Sequence, residues 1–215
     1  MTSFLAYTVI GIAIGCIYAL TASGLVVTYT TSGIFNFALG AIGMLMAFTY
    51  WQLTVQDGWP QWLGLIVVLG VIAPALGALI QRVLMRRLYG ATTSTTLVIT
   101  LGLLLSCIGV ATVIWDPGEP RTMPEFFSGH NVKVFSIFVS YHQLTMMSVA
   151  VLVAVFLRFF LFRTRIGTAM RAVVDDPELA ALNGAAPERV AMVSWALGAS
   201  LAGLAGILLA PLVSL

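Results

Sequence analysis

Apolar residues run through this chain in six long stretches, at about 4–28, 35–56, 62–81, 95–115, 141–162 and 191–213, with short polar breaks between them. Each stretch is close to the roughly 20 residues that a helix needs to cross a bilayer. The first charged residue is Asp57, so the opening region is too long for one span and suits two joined tightly. This pattern predicts an all-α fold: a polytopic transmembrane helical bundle of about six spans. Composition agrees. Hydrophobic residues make up 60% of the 215 and charged ones only 8%, whereas soluble domains carry about 25% charge. A soluble fold of this size would leave much of that apolar surface in water.

Charge decides the orientation. Arg82, Arg86 and Arg87 form one basic block, Arg158, Arg163, Arg165 and Arg171 a second, and Arg189 follows. The loop between the blocks sets Arg121 and Lys133 against Asp116, Glu119 and Glu125. Loops rich in arginine and lysine stay in the cytoplasm. Both arginine blocks are therefore expected inside, with the 116–140 loop and the N-terminus outside. Trp51, Trp59, Trp62 and Trp115 then fall at the outer interface, where indoles prefer to sit, and Arg158 can snorkel to the inner headgroups. The N-terminus lacks a basic region before its apolar run, which predicts a retained first span and no cleaved signal peptide.

Polar positions within this frame are few. A first cytoplasmic turn is expected at Tyr29-Thr30-Thr31-Ser32-Gly33. It leads into Phe35, Asn36 and Phe37, with Gly40 beyond. Two readings stand: Ser32 or Asn36 caps a helix, or a broken helix here lines a translocation path. On the second reading Gly33, Phe35, Asn36, Phe37 and Gly40 are the candidate path residues. Asp116-Pro117-Gly118 signals a turn, and the apolar run 132–139 predicts a small interfacial hairpin. His130 and His142 are solitary and are expected to be interfacial or solvated. Cys16 and Cys107 lie in apolar stretches as small packing residues, without disulfide or metal spacing. Small residues recur at Gly11 and Gly15, and at Gly198, Ala202 and Gly206. Such rows let helices approach closely in lipid, within one subunit or between two.

The most informative segment lies between the last two spans. Asp176 suits an N-cap, Pro177 the first helical position, and Glu178 the first turn. Gly184 ends the helix, and Pro187 starts another after Ala186. A short capped cytoplasmic helix over 177–183 is thus predicted, exposing Leu179, Ala180 and Leu182. A helix this short is marginal alone, so a neighbour should hold it.

Several motifs, taken in order, resemble those of bacterial ABC importer permeases of the branched-chain amino-acid type. They are Gly15-Cys16-Ile17-Tyr18-Ala19-Leu20, Gly33-Ile34-Phe35-Asn36-Phe37-Ala38, and Thr100-Leu101-Gly102. Gly167…Arg171-Ala172, Asp176-Pro177…Ala180 and Gly184 follow, and then Leu201-Ala202-Gly203-Leu204-Ala205-Gly206. Where that family often has His-Gly-Glu after Asn-Phe-Ala, this chain has Leu39-Gly40-Ala41. The resemblance implies a membrane subunit in the bacterial cytoplasmic membrane that carries branched-chain or other apolar amino acids, or small amides such as urea. It implies that Gly167, Arg171, Asp176, Pro177, Glu178, Leu179, Ala180, Leu182 and Gly184 couple the spans to a cytoplasmic ABC ATPase. ATP and magnesium would sit on that ATPase, with no cofactor or metal on this chain. Further implied partners are a second permease subunit and an extracytoplasmic substrate-binding protein; no nucleic acid is expected. Family members usually continue past the position of Leu215. The single permease domain over 1–215 is therefore read as lacking C-terminal spans, whether as a fragment, a shortened form or a diverged member.

Other classes fit less well. A rhomboid-like protease needs a membrane-embedded serine facing a histidine, and both histidines map to the outer side. An ion-coupled transporter usually places ionisable groups inside its spans, and none lies near mid-depth here. No Gly-x-x-x-x-Gly-Lys-[Ser/Thr] phosphate loop occurs, so any ATP use belongs to a partner. A passive channel or secondary transporter for a small neutral solute is the alternative, but it has no need of the 177–183 helix.

Overall fold

The computed structural model describes residues 2–88, 90–118, 121–127, 131–134 and 137–213; Glu119, His130 and Leu215 lie outside these. Among the described residues the chain forms α1 (Thr2–Ser32), α2 (Leu39–Trp51), α3 (Gln61–Val67), α4 (Ala73–Val83) and α5 (Thr93–Ile114). A hairpin of β1 (Asn131–Val134) and β2 (Ile137–Ser140) follows, as the alternation over 132–139 predicts. The chain then forms α6 (Tyr141–Arg163), α7 (Arg165–Asp175), α8 (Pro177–Leu182) and α9 (Pro187–Leu209). A π-helical turn over Gln52–Gln56 extends α2, and another over Val68–Ile72 joins α3 to α4.

Among the described residues five segments are long and apolar enough to cross a membrane: Tyr7–Ser32, Gln61–Leu88, Thr93–Ile114, Tyr141–Arg163 and Pro187–Leu212. The remaining predicted span forms α2 with its π-helical extension, a shorter rod whose Leu39, Ile42, Met46, Ala47 and Tyr50 lie in the core. The molecule is thus an all-α membrane bundle.

Its connections sort to two ends. One end holds the α1–α2 turn, the α4–α5 connection and α7–α8, and there Arg86 Nη2 lies 3.2 Å from Glu188 Oε1. At the other, Trp115 Nε1 donates to Gln52 Oε1 at 3.2 Å, and His142 Nε2 sits 3.1 Å from the Leu208 carbonyl oxygen. Among the described residues the arginine blocks and the 116–127 loop fall at opposite ends, as their charge patterns predict.

Helix α9 is the centre of the bundle, packed against α1, α2 and α4. Lipid chains are as apolar as leucine, so helices associate there through close packing and not through burial from water. Small residues make that packing possible. A Cβ built on Gly43 of α2 would lie 2.7 Å from the Ala202 carbonyl oxygen, and one on Gly24 of α1 would lie 3.1 Å from that of Gly198. On Gly206 it would overlap the Gly43 carbonyl, and on Gly77 of α4 that of Trp195. The row Gly198, Ala202, Gly206 therefore packs within the subunit. Gly11 and Gly15 meet nothing within 4 Å, so the other row faces outward.

Three expectations change. Helix α1 runs on through Ser32 in place of a turn at 29–33. Its hydroxyls make this possible: Thr28, Thr30, Thr31 and Ser32 all donate to carbonyls four residues back, which keeps polar side chains satisfied inside a helix. His142, at the start of α6, is not solvated; it is 1% exposed, stacked on Phe126 and tied to the end of α9. Ala180 is buried, as described below.

The seam makes a direct prediction. Gly77→Val and Gly206→Val should each destabilise the purified protein by about 1–3 kcal/mol or more through overpacking. Gly11→Val should melt with the parent. Thermal unfolding followed by fluorescence-detected gel filtration separates the two outcomes.

Candidate functional site

The α1–α2 break is built by local chemistry. Gly33 ends α1 at φ +68°, a left-handed conformation that glycine adopts readily. Ser32 Oγ donates to the Thr28 carbonyl at 2.6 Å and receives the Ile34 N–H at 3.3 Å. Asn36 is 2% exposed, and its Oδ1 accepts the Ala38 N–H at 3.0 Å just ahead of α2. Its Nδ2 has no partner among the described residues. The amide therefore pins an Asx-type turn from beneath; the N-cap of α2 is Ala38, which has no side-chain cap, so neither Ser32 nor Asn36 caps that helix.

The flanking aromatics point the other way. Phe35 and Phe37 are partly exposed, their ring centres 4.7 Å apart, with Tyr29 6.1 Å from Phe35. Together with Ser32, Gly33, Thr93, Thr96, Leu88 and Leu97 they line an open cavity of about 520 Å³ against the start of α5. Among the described residues no charged side chain lines it. Gly33, Phe35 and Phe37 thus come together at one cavity, whereas Asn36 lies behind it and Gly40 stands apart in open space. Thr93 and Thr96, on the facing wall, were not singled out by sequence, because nothing local ties α5 to this turn.

The α7–α9 segment follows its caps closely. Asp176 Oδ1 accepts the N–H groups of Glu178 at 3.0 Å and Leu179 at 2.9 Å, and Pro177 opens α8. Gly184 stops it at φ +86°, with its own N–H on Ala181 O and the next N–H, from Ala185, on Ala180 O, both at 3.0 Å. Leu179 and Leu182 are 58% and 86% exposed. They lie three residues apart and so share a helix face, while Ala180 falls on the opposite side. That corrects the expectation that all three are exposed: Ala180 packs with Met170, Val173 and Val190. The short helix is held by its neighbours α7 and α9, as its length requires.

Helix α7 itself was not predicted. Thr164 caps it by accepting the Gly167 N–H at 3.0 Å, and Met170 and Val173 supply its buried face. A Cβ on Gly167 would overlap the Phe160 carbonyl, so this glycine sets the α6–α7 elbow. Arg171 turns back onto α6, its guanidinium 4.6 Å from the centre of the Phe162 ring. Glu178 is exposed in the first turn of α8. Gly167 and Arg171 therefore shape the base of the segment, and Leu179 and Leu182 form its free face.

Comparison with known proteins accords with this arrangement. The family model for the branched-chain amino acid transport system permease component matches residues 7–214. The high-affinity branched-chain amino acid transport system permease protein BraD of Pseudomonas aeruginosa is 28% identical, over 96% of this chain and 70% of that protein. LivH of Escherichia coli K12, of the same description, is 28% identical over 93% of this chain and 68% of its own length. A probable branched-chain amino acid transport permease protein of Methanocaldococcus jannaschii is 30% identical over 88% of this chain and 61% of its own. No solved structure matches. With a central helix packed through its glycines, a clamped two-leucine helix between the last two spans, and a family match over nearly its whole length, this chain belongs to the permease components of branched-chain amino acid transport systems.

Proposed function

We propose that this chain is the membrane-spanning subunit of an ABC importer that moves branched-chain or other apolar amino acids inward, with ATP and magnesium held by a separate ATPase. The observation that carries this reading is α8. A soluble motor can move spans only through something rigid. Helix α8 is capped at both ends, anchored by Ala180 and joined to α9, which opens at Pro187, through only the four residues 183–186. Leu179 and Leu182 are left free to fill an apolar groove on the ATPase. A passive channel would leave this device without a purpose.

The names of the relatives favour branched-chain amino acids over urea or other amides as cargo. The cavity beside Phe35 and Phe37 supports an apolar solute without net charge, since its walls are aromatic, aliphatic and hydroxyl-bearing. In this reading Phe35 and Phe37 face the path, Gly33 gives the turn its shape, and Asn36 positions both rings from behind. Gly40 follows on α2, outside the cavity. The positive-inside bias supports a cytoplasmic arginine-rich end, and hence an N-terminus outside in a bacterial cytoplasmic membrane. Uptake would further require a second permease subunit and an extracytoplasmic binding protein, with residues 1–215 acting as one permease domain.

In the assembled transporter, Leu182→Asp should insert and fold normally yet lose most of the co-purifying ATPase. A lone carboxylate in an apolar groove costs roughly 1–3 kcal/mol or more. Gly184→Val should do the same by resisting the left-handed helix stop. If both variants retain the ATPase and its substrate-stimulated hydrolysis, α8 is an ordinary loop.

Asn36→Leu should lower thermal stability by about 0.5–1.5 kcal/mol, the worth of a buried turn hydrogen bond, with uptake falling in proportion to folded protein. Lost uptake at unchanged stability would instead place Asn36 in the path.

A further inference from the structure

A small cavity of about 160 Å³ lies where α4 and α9 leave the apolar layer, at the arginine-rich end. Arg82, Arg86 and Arg189 line it, with Glu188, Gln81 and Met192. Its rim carries three guanidinium groups against one carboxylate. That carboxylate is engaged at 3.2 Å by Arg86 in a pair whose side chains are each more than half exposed, and so exposed a pair is weak and easily exchanged. Neither Arg82 nor Arg189 has an ion-pair partner among the described residues. The site is therefore short of negative charge.

Its base is firm. Gln81 is 3% exposed, and Met85 and Leu88, either side of Arg86 and Arg87, are both buried in the core. The backbone that presents the arginines is thus anchored, which lowers the cost of assembling them around a ligand. The first turn of α9 opens here too; its N-cap, Ala186, supplies no side-chain acceptor. That adds the positive end of a helix dipole to the same place.

The surroundings indicate which anion fits. Just before Arg82 and Arg86 on the same rod, Leu79 and Val83 are exposed apolar side chains, 57% and 45% accessible. In a membrane-spanning helix such side chains meet acyl chains, and basic pockets between spans at this depth take phospholipid headgroups. Arginine forks match phosphate oxygens in pairs. We propose that Arg82, Arg86 and Arg189 form a binding site for the phosphate of an anionic phospholipid, whose acyl chains lie along Leu79 and Val83. The lipid would bridge α4 to α9 at the end where α9 follows the coupling helix. Glu188 would weaken the site by competing for Arg86.

The test uses the assembled transporter, delipidated in mild detergent and titrated with phosphatidylglycerol or phosphatidylcholine, with retention read by native mass spectrometry. The parent should retain phosphatidylglycerol in preference to phosphatidylcholine. Arg82→Gln with Arg189→Gln should weaken that retention about tenfold or more, given the strength of basic groups near anionic lipid. Glu188→Gln should strengthen it, and this arm does not depend on any loss of function. Millimolar inorganic phosphate should fail to displace the lipid. Equal retention of both lipids, or indifference to all three substitutions, overturns the proposal. Full displacement by phosphate would make this a free-anion site. Unchanged lipid retention together with lost ATPase association in the double variant would assign the arginines to the protein partner.

Discussion

Everything in this bundle depends on how closely α9 approaches its neighbours. At Gly43–Ala202, Gly24–Gly198 and Gly77–Trp195 the contact is backbone against backbone, with no room for a single added carbon at the tightest points. In lipid such contact replaces the hydrophobic effect as the source of packing energy, because dispersion grows only when atoms truly meet. A helix held this way on three sides cannot shift relative to α1, α2 and α4 without opening voids along its length. Packed interfaces of that kind move as bodies and do not bend continuously.

That constraint gives α8 its significance. The two-leucine face sits at the start of α9, anchored through Ala180 and Val190, while the far end of α9 is tied by the Leu208 carbonyl to His142 on α6. Phe126 stacks on His142 and on Tyr50, with ring centres 5.9 and 6.2 Å away, closing the bundle at the hairpin end. In the proposed importer, a push at Leu179 and Leu182 would thereby be delivered to a rod whose neighbours are locked to it. The uncharged cavity at Phe35 and Phe37 lies at the same end as α8, between α1, α2 and α5, where motion of those spans would change its shape.

The sequence carried the local half of this account. Asp176, Pro177, Gly184 and Pro187 framed α8 because capping depends on neighbours within four residues, and the 132–139 alternation marked a real hairpin. The row Gly198, Ala202, Gly206 was visible as a pattern, but its partners were not: Gly24, Gly43 and Gly77 lie on three different helices, and only the fold sets them opposite. His142 was misread for the same reason, since a lone polar residue near a span end says nothing of the carbonyl 66 residues away that receives it. The extension of α1 through Ser32 was hidden because threonines that suggest a turn can equally back-bond to their own helix. Ala180 departs from expectation because four consecutive apolar residues, 179–182, go right round so short a helix, and their order alone does not say which of them faces α7 and α9.

The central claim is that α8 and α9 move as one lever. Paired spin labels at Ala181, exposed on α8 away from the two-leucine face, and Leu212, with Cys16 and Cys107 replaced, measure it in the assembled transporter with and without trapped nucleotide. The account predicts a single narrow distance for that pair, the same in both states, while an Ala181–Phe127 pair, which reaches the far loop, changes with nucleotide. An Ala181–Leu212 distance that broadens or shifts on nucleotide binding would show α8 moving independently of α9 and would contradict it.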